Sequence, residues 1–340
     1  DKPVVVVHRL KFPGSADSEN FLASGLFDDL ITELSRHRWV SVIPEGGSGR
    51  YGVGGTVRRA GRHYRITIHL LSGVDGRAIW SETFVRPCEE FTACQTDLAR
   101  EIVALFMAVI ERTEFRRSMS GDVADSALDY WLRGKDAYFR FTKEGNAKTR
   151  RLLSKSIELD PEFAPAYATL AFAEQADAFF NYSGSRQMCL AHGLELARKA
   201  ISIDPTDAYC HQALAAILLR SHDYDGAMVN AETALSLCPT SEGTQYMRGV
   251  ALFYQGRQTE ALEQIDRTLR MLPHSPRAWS MRHLRARCCY DLGRYEEALD
   301  WANRAVNAPN AKTIAFAVKA ASAKRAGFDD LARRIVTDLL

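Results

Sequence analysis

The chain has 340 residues, 46% of them hydrophobic, and a net charge of +2, so it is too long for one ordinary core and apolar enough to bury at least two. Its charges balance along the length, 16 basic against 15 acidic residues up to residue 118 and 28 against 27 beyond it. Neither part has the basic excess that would mark a nucleic-acid or anionic-membrane binder. The longest apolar run, Ile102 to Ile110, is flanked by charge and falls far short of the roughly 20 residues that span a bilayer. Seven cysteines, scattered and odd in number, read as a reduced, cytoplasmic protein rather than a disulfide scaffold. The chain opens on Asp1 with no signal sequence, which points to a piece of a longer protein whose activity lies upstream.

In chain order, Val4 to Val7 is a buried-strand run, and Ser18 followed by Leu22, Leu26, Leu30 and Leu34 is an N-cap with a helical stripe. Val40 to Ile43 is a second short strand. Arg65 to Leu70 and Ala78 to Phe84 alternate as strands, each preceded by a turn, at Ala60-Gly61-Arg62 and at Asp75-Gly76. A helix from about Glu89 to Glu114 carries Leu98, Ile102, Leu105, Phe106 and Val109 on one face. The expectation is an α+β chain: a small α/β domain with a mixed sheet over residues 1–118, then an all-α array over 119–340.

The array shows itself by period. Ala227 and Ala261 are 34 apart, as are Pro239 and Pro273. Ala208 to Pro239 and Glu242 to Pro273 each run through small residues (Ala227 and Ala231; Gly249, Gly256 and Ala261) to a closing proline, which is the tetratricopeptide pattern. A unit from Trp279 follows an insertion around His274-Ser275-Pro276, and a last one holds Gly327, Phe328 and Ala332. Two stretched units come earlier, Leu132 to Pro161 and Tyr167 to Pro205. Six hairpins are expected, with alanines where helices approach closely, glycines 256, 293 and 327 at positive φ, and prolines opening the next hairpin.

Phe21 to Ser35, Gly55 to Gly61, Arg65 to Leu71 and Gly76 to Glu82, followed by the repeats, resemble the TolB-amino-terminal-like domain with tetratricopeptide repeats of bacterial regulators. That resemblance implies a regulatory or interaction half, sitting behind a winged-helix DNA-binding domain or a class III adenylate or guanylate cyclase domain. It also implies a helix after the second strand, where this chain passes from Pro44 through Arg50 straight into Tyr51-Gly52-Val53.

No motif carries catalysis, a cofactor or a metal. The glycine-rich run from Gly46 to Gly55 lacks a Gly-Lys-Ser/Thr ending, and Cys210-His211 and Cys288-Cys289 lack paired zinc-site spacing. Arg58, Arg59, Arg62, His63 and Arg65 read as a solvated β-turn, and the pairs Glu296-Glu297 and Asp329-Asp330 as helix starts. The positive signal is the groove. Positions 2, 5, 9 and 12 of each unit, about a turn apart, face the concave side; with the residue one step beyond the twelfth they give Gln212, Leu219 and Arg220, then Tyr246, Val250, Phe253 and Tyr254, then His283, Arg287 and Tyr290. Aromatics and arginines dominate binding hot spots, so a protein or peptide segment is the expected partner, with Tyr246, Phe253, Arg287 and Tyr290 partly exposed. The Lys/Asn pattern that clamps a C-terminal carboxylate in some repeats of this kind is missing.

Overall fold

The computed structural model describes residues 2–12, 17–120, 125–271, 278–307 and 313–339. The insertion at His274-Ser275-Pro276 and the closing Pro273 lie outside them. The first part is a mixed five-stranded sheet in the order β2-β1-β3-β4-β5, formed by β1 (Val4–Val7), β2 (Ser41–Pro44), β3 (Tyr51–Ala60), β4 (His63–Ser72) and β5 (Ala78–Pro87). β1 pairs in parallel with β2 and β3, and β3, β4 and β5 form an antiparallel meander. Along β4, Tyr64, Ile66, Ile68 and Leu70 are buried and alternate with exposed or half-buried residues, so helices cover one face. They are α1 (Asp17–Ser35) and α2 (Phe91–Ser120), whose Leu26, Leu30, Leu98, Ile102 and Phe106 share one core with Val5, Val53 and Ile68. α1 begins at Asp17, one residue before Ser18.

Two sequence expectations are corrected here. The sheet is open, with β2 and β5 as its edges, and does not close into a propeller; the assignment of this part to the TolB-amino-terminal-like family is therefore withdrawn. The stretches that suggested it map onto α1 and the β3-β4-β5 meander, whose periods of 3.6 and 2 recur in unrelated small sheets. The second correction is β3 itself, which the glycines concealed. A Cβ on Gly55 would stand 2.2 Å from the carbonyl oxygen of Thr67 on the facing strand, so glycine there admits close approach of the backbones.

Beyond α2 the described residues form six antiparallel helical hairpins. They are α3 (Ala127–Tyr138) with α4 (Lys143–Leu159), α5 (Ala164–Phe180) with α6 (Arg186–Ile203), and α7 (Ala208–Arg220) with α8 (Tyr224–Leu237). Then come α9 (Glu242–Tyr254) with α10 (Gln258–Met271), α11 (Ala278–Asp291) with α12 (Tyr295–Val306), and α13 (Thr313–Arg325) with α14 (Asp329–Leu339). Ala227, Ala261 and Ala298 are wholly buried, consistent with close helix approach. Gly256, Gly293 and Gly327 have φ of 79°, 76° and 88°. Pro161, Pro205 and Pro239 each stand one residue past a helix C-cap, stopping the previous helix rather than opening the next.

The two parts are joined by charge and by packing. Glu114 on α2 accepts from Arg50 Nη1 at 2.6 Å, from Arg117 Nε at 2.9 Å and from Tyr51 Oη at 2.7 Å, and Arg117 Nη2 reaches Asp129 on α3 at 2.6 Å. The segment Arg36-His37-Arg38-Trp39, between α1 and β2, docks on the far hairpins. Arg36 Nη1 donates to the carbonyls of Ser236 and Leu237 at 3.0 and 3.2 Å, at the C-terminus of α8, where the helix dipole favours a cation. Arg38 Nε meets Asp204, the C-cap of α6, at 3.0 Å. His37 Nε2 sits 3.1 Å from Thr240 Oγ1, and Trp39 packs on Trp131 with ring centres 6.0 Å apart.

That docking makes stability sensitive to acid. Burial pushes the His37 imidazole down to about 4 from its ordinary 6.5, against the pull of Glu111. The unfolded chain therefore binds more protons between those values, and stability present above about pH 6.5 is lost as pH falls toward 4. Asp207, which caps α7 through the Tyr209 N–H at 2.9 Å, opposes it: burial lifts its carboxyl to about 6, so it favours the folded state as pH falls below that value. The variant His37→Gln keeps a hydrogen-bonding side chain and cannot titrate. Its urea midpoint is expected to fall less than the parent's between about pH 7 and pH 5. Parallel curves would remove His37 as the cause.

Candidate partner-binding groove

The first helix of every hairpin, α3, α5, α7, α9, α11 and α13, contributes to the wall of one cavity of about 1170 Å³. This is the concave side of the array. α2, the 36–39 segment and β5 add to the wall through Leu105, Phe115, His37, Trp39 and Trp80, so the N-terminal domain flanks the groove. The lining is rich in aromatic rings, among them Trp131, Phe172, Tyr209, Tyr246, Tyr254 and Trp279. The groove is bounded further where Phe141, in the turn of the first hairpin, meets Trp279 on α11 with ring centres 6.2 Å apart.

Of the ten residues picked from the sequence, Gln212, Leu219, Arg220, Tyr246, Val250, Tyr254, His283 and Arg287 line this cavity; Phe253 and Tyr290 do not. Gln212, Tyr246 and His283 hold equivalent places in successive hairpins. Arg220, Tyr246, Tyr254, Arg287 and Tyr290 are half-buried, whereas Gln212, Leu219, Val250, Phe253 and His283 are buried. Phe253 is only 6% exposed, against the expectation of partial exposure, because the Arg287 guanidinium lies over its ring at 4.2 Å. Tyr290 packs edge-on against Tyr295 at 5.4 Å. The sequence reading missed the contributions of α2, of the 36–39 segment and of α13. No local period marks a loop that docks 200 residues away.

The electrostatics at this surface are unusual for half-buried arginines. Arg117, Arg150 and Arg285 each hold two carboxylates. Arg220 and Arg287 hold none among the described residues. Arg220 lies over the rings of Phe179 at 4.4 Å and Tyr254 at 5.8 Å, and its Nη2 reaches Tyr254 Oη at 3.4 Å. Arg287 lies 5.5 Å from the Tyr254 ring centre. Burial raises the Tyr254 phenol, but the two guanidinium charges outweigh it and bring the phenol below its ordinary value. Burial, with Arg287 beside it, drops the His283 imidazole to about 3, so it is neutral at pH 7. The buried Nδ1 of His283 and Nε of Arg220 have no hydrogen-bond partner.

Stacked hairpins, a concave face built from first helices, and aromatics and arginines repeating along it define a tetratricopeptide-type region, a fold consistent with holding protein or peptide segments. Two family models, each described as tetratricopeptide repeat, match residues 196–228 and 246–312. A putative adenylate cyclase 3 from Rhizobium meliloti (strain 1021) is 29% identical over 236 residues, 64% of this chain and 40% of that protein's length. Among solved structures, human IFIT1, as a dimer with m7Gppp-AAAA, is 14% identical with a TM-score of 0.55 over 74% of this chain and 60% of that one. The Cut9-Hcn1 hetero-tetramer of the APC/C is 14% identical with a TM-score of 0.54, covering 70% and 45%. Identities this low speak for the fold alone. Among the described residues no helix is long and apolar enough to cross a membrane.

Proposed function

We propose that this chain is the regulatory, partner-holding part of a larger bacterial signalling protein, working in the cytoplasm and holding a peptide segment on its concave face rather than transforming it. The observation that carries this is the placement of Tyr246, Tyr254, Arg220 and Arg287 on one wall built from successive first helices. Seven cysteines, all free thiols, agree with a reducing compartment. The partner is expected to crosslink to a photoreactive phenylalanine analogue placed at Tyr246 in the source cell. It should not crosslink from the same analogue at Val229, which is exposed on α8, outside the groove. Identical products from both positions would move the functional surface elsewhere.

A second reading has its own support in the relative whose name is putative adenylate cyclase 3: the chain regulates a class III adenylate or guanylate cyclase domain carried by the same protein. The parent protein, purified from the source cell, is then expected to convert ATP to cyclic AMP, or GTP to cyclic GMP, at a rate that groove substitutions alter. A parent protein inert toward both nucleotides would sink the cyclase reading and leave partner binding standing.

A further inference from the structure

The corner of the cavity where α7, α9 and α11 meet carries two positive charges, Arg220 and Arg287, which pair with no carboxylate among the described residues. Around the Tyr254 ring, Arg220 and Arg287 each place a guanidinium carbon within 5.8 Å of its centre. Carboxylates elsewhere on the wall are committed: Glu111 accepts from Lys135 Nζ at 2.8 Å, Asp136 from Arg140 at 2.9 Å, and Asp207 caps α7. Glu242, at the start of α9, has contacts of its own. Next to the arginines, His283 is 7% exposed with its Nδ1 unpartnered and lines the same cavity. A buried polar atom left without a partner costs roughly 1–3 kcal/mol, and two like charges about one ring repel. Half-buried Arg117, Arg150 and Arg285 each hold carboxylates, and half-buried Arg248 meets the Gln264 amide oxygen; here the position of the counter-charge is open to the cavity.

We propose that Arg220, Arg287 and His283 form an anion subsite that takes a small, ring-bearing carboxylate or phosphate ester. Its charged group bridges the two guanidiniums, and its ring lies among the aromatics of the cavity wall. Guanidinium forks match carboxylate and phosphate oxygens in pairs, and a neutral imidazole can donate one further hydrogen bond from Nδ1. The cavity volume, about 1170 Å³, exceeds what a drug-sized ligand fills. A small compound is the proposed occupant because the two guanidiniums flank a single ring, that of Tyr254, a spacing that one small anionic group spans. The inference goes beyond partner binding: it adds a small-molecule effector to the same face.

The test is calorimetry on the full chain with phenyl phosphate and 3-phenylpropionate, with phenol as the uncharged control and a capped Phe-Glu-Phe tripeptide as the peptide-borne carboxylate. At least one small anion is expected to bind while phenol does not. Its affinity should weaken about tenfold or more in Arg220→Gln and in Arg287→Gln, the loss of a charged hydrogen bond. Melting curves establish that the variants are folded. Should either melt early, Arg220→Lys and Arg287→Lys keep the charge, remove the fork, and are expected to bind more weakly than the parent. Four results would overturn the proposal: no binding of either anion, equal binding of phenol, undiminished binding by the folded variants, or binding of the tripeptide alone. A groove that crosslinks its partner from Tyr246 yet ignores both anions would refute the subsite without touching the partner reading.

Discussion

Glu114→Ala is expected to destabilise the chain by about 3 kcal/mol or more, within the roughly 3–5 kcal/mol range for removing one partner of a buried ion pair. The carboxylate is 0% exposed and accepts from two guanidiniums and a phenol. Its removal strands the buried Tyr51 hydroxyl and leaves Arg50 without its carboxylate. Arg117 keeps Asp129, and both arginines have some access to water, which places the cost at the lower end of the range. Glu114→Gln preserves the shape and an acceptor for Tyr51, so its loss should be smaller. Urea unfolding of the three proteins at one pH and salt concentration checks this. An alanine variant within about 1 kcal/mol of the parent would mean that the network does not join sheet to repeats.

Trp131→Ala should cost about 3–5 kcal/mol, the usual range for emptying a buried large aromatic site. Its side chain is 2% exposed and packs against Trp39, Phe163 and Tyr209 with ring centres 6.0, 5.8 and 6.2 Å away. Its Nε1 donates to Thr169 Oγ1 at 2.9 Å, and Lys135 Nζ lies 4.9 Å from the ring centre. Trp39 belongs to the N-terminal domain, so the loss should appear in two places. Global stability falls, and amide exchange should quicken at residues 36–39, which lose their apolar seat. A variant that loses stability while 36–39 stay protected would show that the ion pairs alone hold the domains together.

The fold was largely legible in the sequence because the repeats advertise themselves through spacing. Gly256, Gly293 and Gly327 announced the left-handed residue of three hairpin turns. The same backbone state in the other three turns is filled by Phe141, Asn181 and His222, at φ of 49°, 56° and 64°. Sequence marks those less plainly, since only glycine enters the left-handed region without steric cost, although Asn and His are enriched there. The groove was legible in part. Periodicity placed eight of ten residues on the cavity wall, but it carries no information on what stacks over Phe253, because the Arg287 contact depends on the packing of one hairpin against the next. The strand β3 was hidden for the opposite reason: Gly55 admits the close approach of the facing strand, yet Gly52, Gly54 and Gly55 together look like a loop.

The contact between Phe141 and Trp279 changes the mechanical character of the array. Stacked repeats ordinarily touch only their neighbours, so they behave as a line of units that fray from either end. Here the first hairpin grips the fifth, while Arg36 and Arg38 fasten the N-terminal domain to hairpins two and three. The molecule is built like a clasped bracelet rather than a spring. A guest in the groove that favours the closed clasp would be favoured by it in return, in equal measure.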